Sequence, residues 1–359
     1  MLFLSVFSSA RGQQSETMED FDFLTSFTEE NYAAFPVIME LGYKKQYEAL
    51  KKRLRKQVSK GEIGIERVAC EYAIWFHKNF DSHYSVVTPL WRTYWRTAHT
   101  DYSKVMEEYA PKPVSCKVDE QTWLMRIPSC IGNNPTMEWV AEAVEQYMES
   151  GCENLIIDVR GNGGGTDEIW SPFISMLVDH KRECEFESLF RNTPFNRKFL
   201  EEALEDDDFD LRDFLEQCKN NNNDFELWYS WDGSGITPTS LPKQVGVIVD
   251  NMTASSGECI IGQYAKGVSH RTKVYGKERT YGANLTGNCR ESKLPHSDIY
   301  IFYSTCIQSL DFRKNVSFGK IGIEPDVYID IPYPNRLTDR IDEWVLWVAK
   351  DLKKTKKKE

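Results

Sequence analysis

Three short segments carry residues whose types and spacing suit acyl-transfer chemistry. Thr253-Ala254-Ser255-Ser256-Gly257-Glu258 follows an apolar run, Val245 to Asp250, and precedes a stretch with helical character. A serine at a strand-to-helix turn is held exposed, with the helix N-terminus behind it, and the next backbone N–H can point at the oxygen of a tetrahedral intermediate. The same residues also read as a helix cap, because Ser255 with Glu258 three positions on fits a capping box. The second segment is Arg160-Gly-Asn-Gly-Gly-Gly165, after the apolar run Asn154 to Val159. Consecutive glycines let backbone N–H groups turn toward one point, which suits a developing oxyanion. A phosphate-binding reading fails in detail. A dinucleotide fingerprint starting at Gly161 needs glycine at 166, where Thr166 stands, and the Lys-Ser or Lys-Thr of a P-loop is absent. The third segment is Ser82-His83. A serine nucleophile needs a base that works near neutral pH, and histidine is the usual one. His296, in a polar loop, is a second candidate among six histidines.

The elements needed to position these groups form an α/β pattern. Thr122 to Pro128 reads as a strand, and Thr136 to Ser150 as an amphipathic helix closed by Gly151. The 154–159 run has the continuous apolar character of a buried strand, and a helix is expected from Glu168 to Val178. Val245 to Asp250 is another buried strand, followed by short strands at 274–276, 299–303 and 327–330. Helical periodicity covers Tyr43 to Gly61 and Glu66 to Phe80, and Thr338 is an expected N-cap of a closing helix that ends at Leu352. The polar stretch 181–240, with Glu205-Asp-Asp-Asp208 and Asn220 to Asn223, reads as an irregular insertion.

Composition narrows the function classes. The chain has 359 residues, 41% of them hydrophobic and 28% charged, which excludes whole-chain disorder. No apolar run is long enough for an integral membrane span. The net charge of −11 argues against a nucleic-acid partner. Between Glu201 and Glu226 there are eleven acidic and two basic residues, so most of that charge sits in the insertion. Leu2 to Phe7, followed by Ser8-Ser9-Ala10, resembles the end of a secretory signal, and export to the periplasm or cell envelope is the expectation. Nine cysteines without a Cys-x-x-Cys pair give no zinc ribbon or thioredoxin-type site, and no His-Glu-x-x-His occurs. No metal or cofactor is required.

Several motifs, taken together, resemble the tail-specific, or C-terminal-processing, serine peptidases and the related tricorn protease core. Leu155-Ile-Ile-Asp-Val-Arg-Gly-Asn-Gly-Gly-Gly165 is similar to the family's hallmark strand and loop, and Thr253 to Glu258 to its nucleophile segment. Gly276-Lys-Glu-Arg-Thr-Tyr-Gly282 and Gly322-Ile-Glu-Pro-Asp-Val327 resemble its next and last motifs. The resemblance implies an α/β fold, a tail-specific protease (ClpP/crotonase-like) core, with an N-terminal helical cap. It also implies Ser255 as nucleophile, with an oxyanion hole from the N–H of Ser256 and one of Gly163 or Gly164. Glu258 falls where the family has a functional acidic residue.

Two departures matter. Much of the family has a lysine directly after the Tyr-Gly step, where this chain has Ala283. The tricorn branch instead uses a Ser-His pair, which Ser82-His83 matches, so the resemblance implies His83 as base oriented by Ser82. The glutamate that branch has near the last motif aligns close to Gly319, leaving Glu324 as a substitute acid. The stretch from Tyr84 to Asp119 is too short for the PDZ module many relatives carry.

The expected organisation is a signal remnant at 1–15, a helical cap at 16–83, a peptidase core at 84–335 with its insertion at 181–240, and a C-terminal helix and Lys-rich tail at 336–359. The expected activity is a serine-type endopeptidase acting on peptides or unfolded protein, with oligomeric state left open. The alternatives are a catalytically weak, peptide-binding member of the family and an esterase.

Overall fold

The computed structural model describes residues 2–98, 111–204, 209–309, 322–334 and 341–354. In chain order its main elements are α1 (Leu2–Asn31), α2 (Lys44–Ser59), α3 (Ile65–Asn79), β1 (Ser85–Val87), α4 (Pro89–Ala98), β2 (Val114–Asp119), β3 (Thr122–Arg126) and α5 (Met137–Ser150). Then come β4 (Asn154–Asp158), β5 (Phe186–Arg191), α6 (Pro194–Ala203), α7 (Phe209–Asn220), β6 (Phe225–Trp231), β7 (Gln244–Ile248) and α8 (Ser256–Gly262). The chain closes with β8 (Thr272–Gly276), β9 (Thr286–Lys293), β10 (Tyr300–Gln308), β11 (Val327–Tyr328) and α9 (Glu343–Lys354). No helix among the described residues is long and apolar enough to cross a membrane. The chain divides into two compact units: Met1–Ala98, Glu187–Tyr229 and Thr286–Ser309 form the first, and His99–Phe186, Ser230–Leu285 and Leu310–Glu359 the second.

The second unit is built on a six-stranded sheet in the order β11-β8-β7-β4-β3-β2. All neighbours are parallel except the β2–β3 edge pair. Parallel neighbours need crossovers, and α5 supplies the one from β3 to β4. Its ends follow local chemistry. The Thr136 side chain accepts the Trp139 N–H, and Gly151 takes a left-handed φ of 67°. One face of the sheet buries Leu155, Ile157, Val245 and Val247 with Trp170 and Phe173. The other buries Ile156, Ile248 and Tyr275 under Trp344, Val345 and Val348 of α9. Burial on both faces explains the continuous apolar runs of β4 and β7. The register sets Asp158 opposite Ile248 at the strand ends, so the loops after β4 and β7 leave the sheet side by side. In an open parallel sheet, such strand ends are where sites are built.

A buried ionic cluster anchors the end of β4. Asp158 Oδ2 accepts Arg126 Nε and Arg160 Nη2, both at 2.7 Å. Asp342 Oδ2 receives the same two guanidinium groups at 3.0 and 2.7 Å. Burial alone would raise the Asp158 carboxyl, but Arg160 and Arg126 hold it well below the usual carboxylate range.

The first unit combines α1 to α4 with an antiparallel sheet in the order β1-β10-β5-β6, and β9 pairs with β10. Tyr32, Tyr47, Tyr72, Phe76 and Tyr84 are buried together among the helices. Thr28 and Tyr84 share a hydrogen bond of 2.6 Å, and Tyr47 and Tyr72 one of 2.8 Å, so these hydroxyls are satisfied inside the core.

Two expectations need correction. The 181–240 stretch is not irregular over its described residues; Glu205 to Asp208 lie outside them. It holds β5, α6, α7 and β6, with Phe190, Leu200, Leu215 and Cys218 packed in a small core of their own. The helix expected at 168–178 is a 3₁₀ segment, Asp167–Phe173, and one α-turn, Ile174–Leu177. Pro172 inside it removes a helix donor, which accounts for the change. The first element is one continuous helix from Leu2 to Asn31, with Phe21, Leu24 and Phe27 buried on one face. Thr338, Gly319 and the tail from Thr355 to Glu359 lie outside the described residues.

Candidate active site

Ser255 stands at the turn between β7 and α8 with φ 52° and ψ −125°, a conformation that L-residues avoid. It is one of two positive-φ positions outside glycine among the described residues, the other being Asn288. Strain of this kind costs on the order of 1–3 kcal/mol and survives only where surrounding bonds enforce it. Those bonds are present. Asp250 accepts the N–H groups of Met252 and Thr253 at 3.0 and 3.1 Å, and Tyr333 donates to it at 2.7 Å. Burial pushes the Asp250 carboxyl up against these donors. Glu258, fully buried, accepts the Ser255 N–H at 3.2 Å, as the capping-box spacing predicts.

Glu258 has further partners that spacing alone does not reveal. It accepts the N–H groups of Gly282 and Ala283 at 3.0 and 2.7 Å and the Thr280 hydroxyl. Burial pushes its carboxyl up to about 7, with the four donors pulling the other way. Its oxygens therefore tie the Ser255 turn to the 280–283 segment.

The glycine loop lies against this turn. Ala254 N donates to Asn162 O at 2.9 Å, Ser256 Oγ donates to Gly165 O at 2.8 Å, and Asp250 accepts the Gly161 N–H at 3.0 Å. A Cβ on Gly164 would stand 2.7 Å from Ser255 Cβ and 3.1 Å from its Oγ, and one on Gly165 would stand 2.1 Å from Cys130 backbone atoms. Both glycines also have positive φ, 103° and 144°. Only glycine permits this approach. The Gly164 N–H is already given to Asn162 Oδ1 at 2.9 Å. Gly164→Ala is accordingly expected to keep the secondary structure and lose roughly a hundredfold or more of any Ser255-dependent reaction rate. Circular dichroism and the rate of Ser255 acylation check this together.

Ser82 and His83 belong to the first unit, in the turn between α3 and β1. The His83 ring is held by groups other than its sequence neighbour. Its Nδ1 lies 3.1 Å from Thr286 Oγ1 and 3.4 Å from Asp81 Oδ1. Ser82 Oγ is buried without a hydrogen-bond partner and does not orient the ring, contrary to the expectation. Asp81, 1% exposed, receives the Tyr32 hydroxyl at 2.6 Å, Thr286 Oγ1 at 2.9 Å and the His83 N–H at 2.9 Å. Burial would raise its carboxyl, but the His83 hydrogen bond and charge, with Tyr32, hold it below the usual range. The signal was in the sequence, since an acid two residues before a histidine can close an Asx-type turn onto its N–H.

Proton counting fixes the direction of the His83 Nδ1 contacts. Thr286 has one hydroxyl proton and gives it to Asp81, while Ser304 Oγ donates to Thr286 at 2.9 Å. Toward His83, Thr286 and Asp81 can therefore only accept. Nδ1 is therefore the donor in these contacts.

The other two candidates have local partners. His296 pairs with Glu19 at 2.8 Å, and its N–H donates to Asp20 at 2.8 Å, both on α1. Glu324 is exposed and bound by Arg279 and, at 2.7 Å, by the Tyr328 hydroxyl. The structure thus gathers Ser255, Ser256, Glu258, Gly163 and Gly164 in the second unit, and Ser82 and His83 in the first. It leaves His296 and Glu324 in surface ion pairs.

The parallel sheet, the glycine loop after β4 and the strained serine after β7 define a class, and the whole-sequence comparison agrees. The chain belongs to peptidase family S41, whose description it matches over residues 122–329, more than half its length. Among solved structures, it is similar to a candidate peptidase from Parabacteroides merdae, with TM-score 0.57 at 15% identity, covering 93% of this chain and 95% of that one. A lipoprotein from Streptococcus agalactiae is also similar, with TM-score 0.50 at 15% identity, covering 88% and 93%. At these identities the likeness concerns the fold. Comparison with curated proteins gives no match.

Proposed function

We propose that the chain is a serine endopeptidase that hydrolyses peptide bonds in peptides or unfolded protein. Ser255 attacks the carbonyl and His83 Nε2 takes its proton and returns it to the leaving amine; water, deprotonated by the same nitrogen, then displaces Ser255 from the acyl group and the serine regains its proton. The N–H groups of Ser256 and Gly163 stabilise the oxyanion. Asp81 and Thr286 keep His83 in the basic tautomer, and Glu258 holds the Ser255 turn. The observation that carries this reading is the strained φ of Ser255 at a strand-to-helix turn with a glycine loop pressed against its side chain. Strain of that size, maintained at one serine, is characteristic of functional positions. Export is part of the same reading, supported by the apolar Leu2–Phe7 stretch and the small residues that follow it. The test is turnover of fluorescently labelled, unfolded casein. The wild-type chain is expected to release internal fragments and Ser255→Ala to release none. Casein binding without turnover would favour a peptide-binding protein, and cleavage of small esters alone an esterase.

A further inference from the structure

A second cluster of chemistry-bearing side chains lies in the second unit, apart from Ser255. Asp179 and His180 follow the Ile174–Leu177 turn, and His270 lies two residues before β8. Asp179 Oδ1 is 2.7 Å from His180 Nδ1 and 3.1 Å from His270 Nδ1. The two imidazole rings face each other with centroids 3.8 Å apart. All three potential ligand atoms fall within 4.8 Å of one another. The backbone holds this arrangement from both sides. Asp179 N and His180 N donate to Val268 O at 2.9 and 3.2 Å, and His270 N donates to the Asp179 carboxylate at 3.1 and 3.0 Å.

We propose that Asp179, His180 and His270 form a binding site for a divalent cation of the zinc class. Two imidazole nitrogens and one carboxylate oxygen are a donor set that suits borderline transition metals. Calcium and magnesium need several oxygens, and here there is one carboxylate, whose other oxygen faces Arg271 Nε at 3.4 Å. The neighbouring Lys181 is engaged by Asp232. Ligands at 2.0–2.2 Å from a tetrahedral ion stand about 3.3 Å apart, so the present separations need to open by only a few tenths of an ångström. His270 is 79% exposed on its side chain, which gives an ion access and leaves room for water at the remaining position. A bound ion clips the 179–182 loop to the 268–271 segment, which follows α8.

The test uses the full-length, chelator-treated chain titrated with Co²⁺. One ion per chain is expected, with the visible absorption of a low-coordinate nitrogen and oxygen site. The near-ultraviolet thiolate band that any of the nine free cysteines would produce is expected to be absent. Zn²⁺ displaces the cobalt, and Ca²⁺ or Mg²⁺ at about hundredfold excess does not. His180→Ala and His270→Gln each weaken binding by roughly tenfold or more while leaving the circular dichroism and the metal-free melting temperature unchanged. His270 is exposed enough that its variant folds regardless of the outcome at His180. Binding of neither Co²⁺ nor Zn²⁺ below millimolar concentration would overturn the proposal. So would equal affinity in the double variant, or a thiolate band.

Discussion

Asp81→Asn is expected to lower kcat/KM for peptide hydrolysis by roughly 10³- to 10⁴-fold, the size of effect that follows when a catalytic imidazole is locked in the wrong tautomer. Asp81 can only accept, and it takes hydrogen bonds from Tyr32, Thr286 and the His83 N–H. An amide in its place turns one acceptor into a donor. If that donor faces Thr286, the hydroxyl must rotate its proton toward His83, Nδ1 becomes the acceptor, and Nε2 acquires the hydrogen. The base is then lost although every side chain stays in place. Nitrogen-15 shifts of the His83 ring read the tautomer directly and do not depend on turnover. The wild type should show Nδ1–H and the variant Nε2–H. Tyr32→Phe removes one donor to Asp81 without altering the proton order, so it should cost less than about tenfold. Equal losses in both variants, with an unchanged ring tautomer, would reduce Asp81 to a structural residue.

The largest effect on stability is expected from Asp158→Ala. Arg126 and Arg160 are fully buried, and Asp158 contacts both. Removing it leaves two buried guanidinium groups with Asp342 as their shared carboxylate. Breaking a buried ionic cluster in this way costs about 3–5 kcal/mol. Urea unfolding should show the loss as a lower midpoint with an unchanged slope. The pH dependence has a definite sign. The folded Asp158 carboxyl is held well below its unfolded value, so its contribution is complete above the ordinary aspartate titration, near about pH 4. It is lost as the pH falls further toward the folded value, so the gap between wild type and variant narrows in strong acid. A gap that stays constant through that range would place the effect in packing rather than charge.

What the sequence disclosed and what it concealed have separate physical causes. The β4 and β7 strands were legible because burial on both faces of a parallel sheet demands continuous apolar runs. Thr136 and Gly151 marked a helix because their cap chemistry is local. The Ser255 turn and the glycine loop were legible for the same reason, since few residues other than glycine tolerate such backbone. The first unit's sheet was harder to see. β9 reads Thr-Gly-Asn-Cys-Arg-Glu-Ser-Lys, with mostly polar residues, and its identity comes from pairing with β10. β5 and β6 carry apolar residues enough for strands, but they flank a long polar, acidic stretch that reads as a loop. Ser82 Oγ has no hydrogen-bond partner while the His83 ring faces Thr286 and Asp81, because side-chain direction at a turn depends on backbone geometry that spacing does not encode. Likewise, that the Gly164 N–H is taken up by the Asn162 amide oxygen depends on where Asn162 turns its side chain. Even the net charge changes meaning. The acidic residues within α7 belong to a helix that packs in a small core of its own, while Glu205 to Asp208 lie outside the described residues.

The central claim is that Ser255 is a nucleophile activated by His83. Fluorophosphonate labelling followed by peptide mapping tests it most directly, because an activated serine displaces fluoride from the probe's phosphorus and is phosphonylated whatever the natural substrate. The account predicts one adduct, on Ser255, in the wild-type chain, and none in a folded His83→Ala variant. A folded wild type that stays unlabelled, an adduct on another serine, or undiminished labelling of His83→Ala would contradict it.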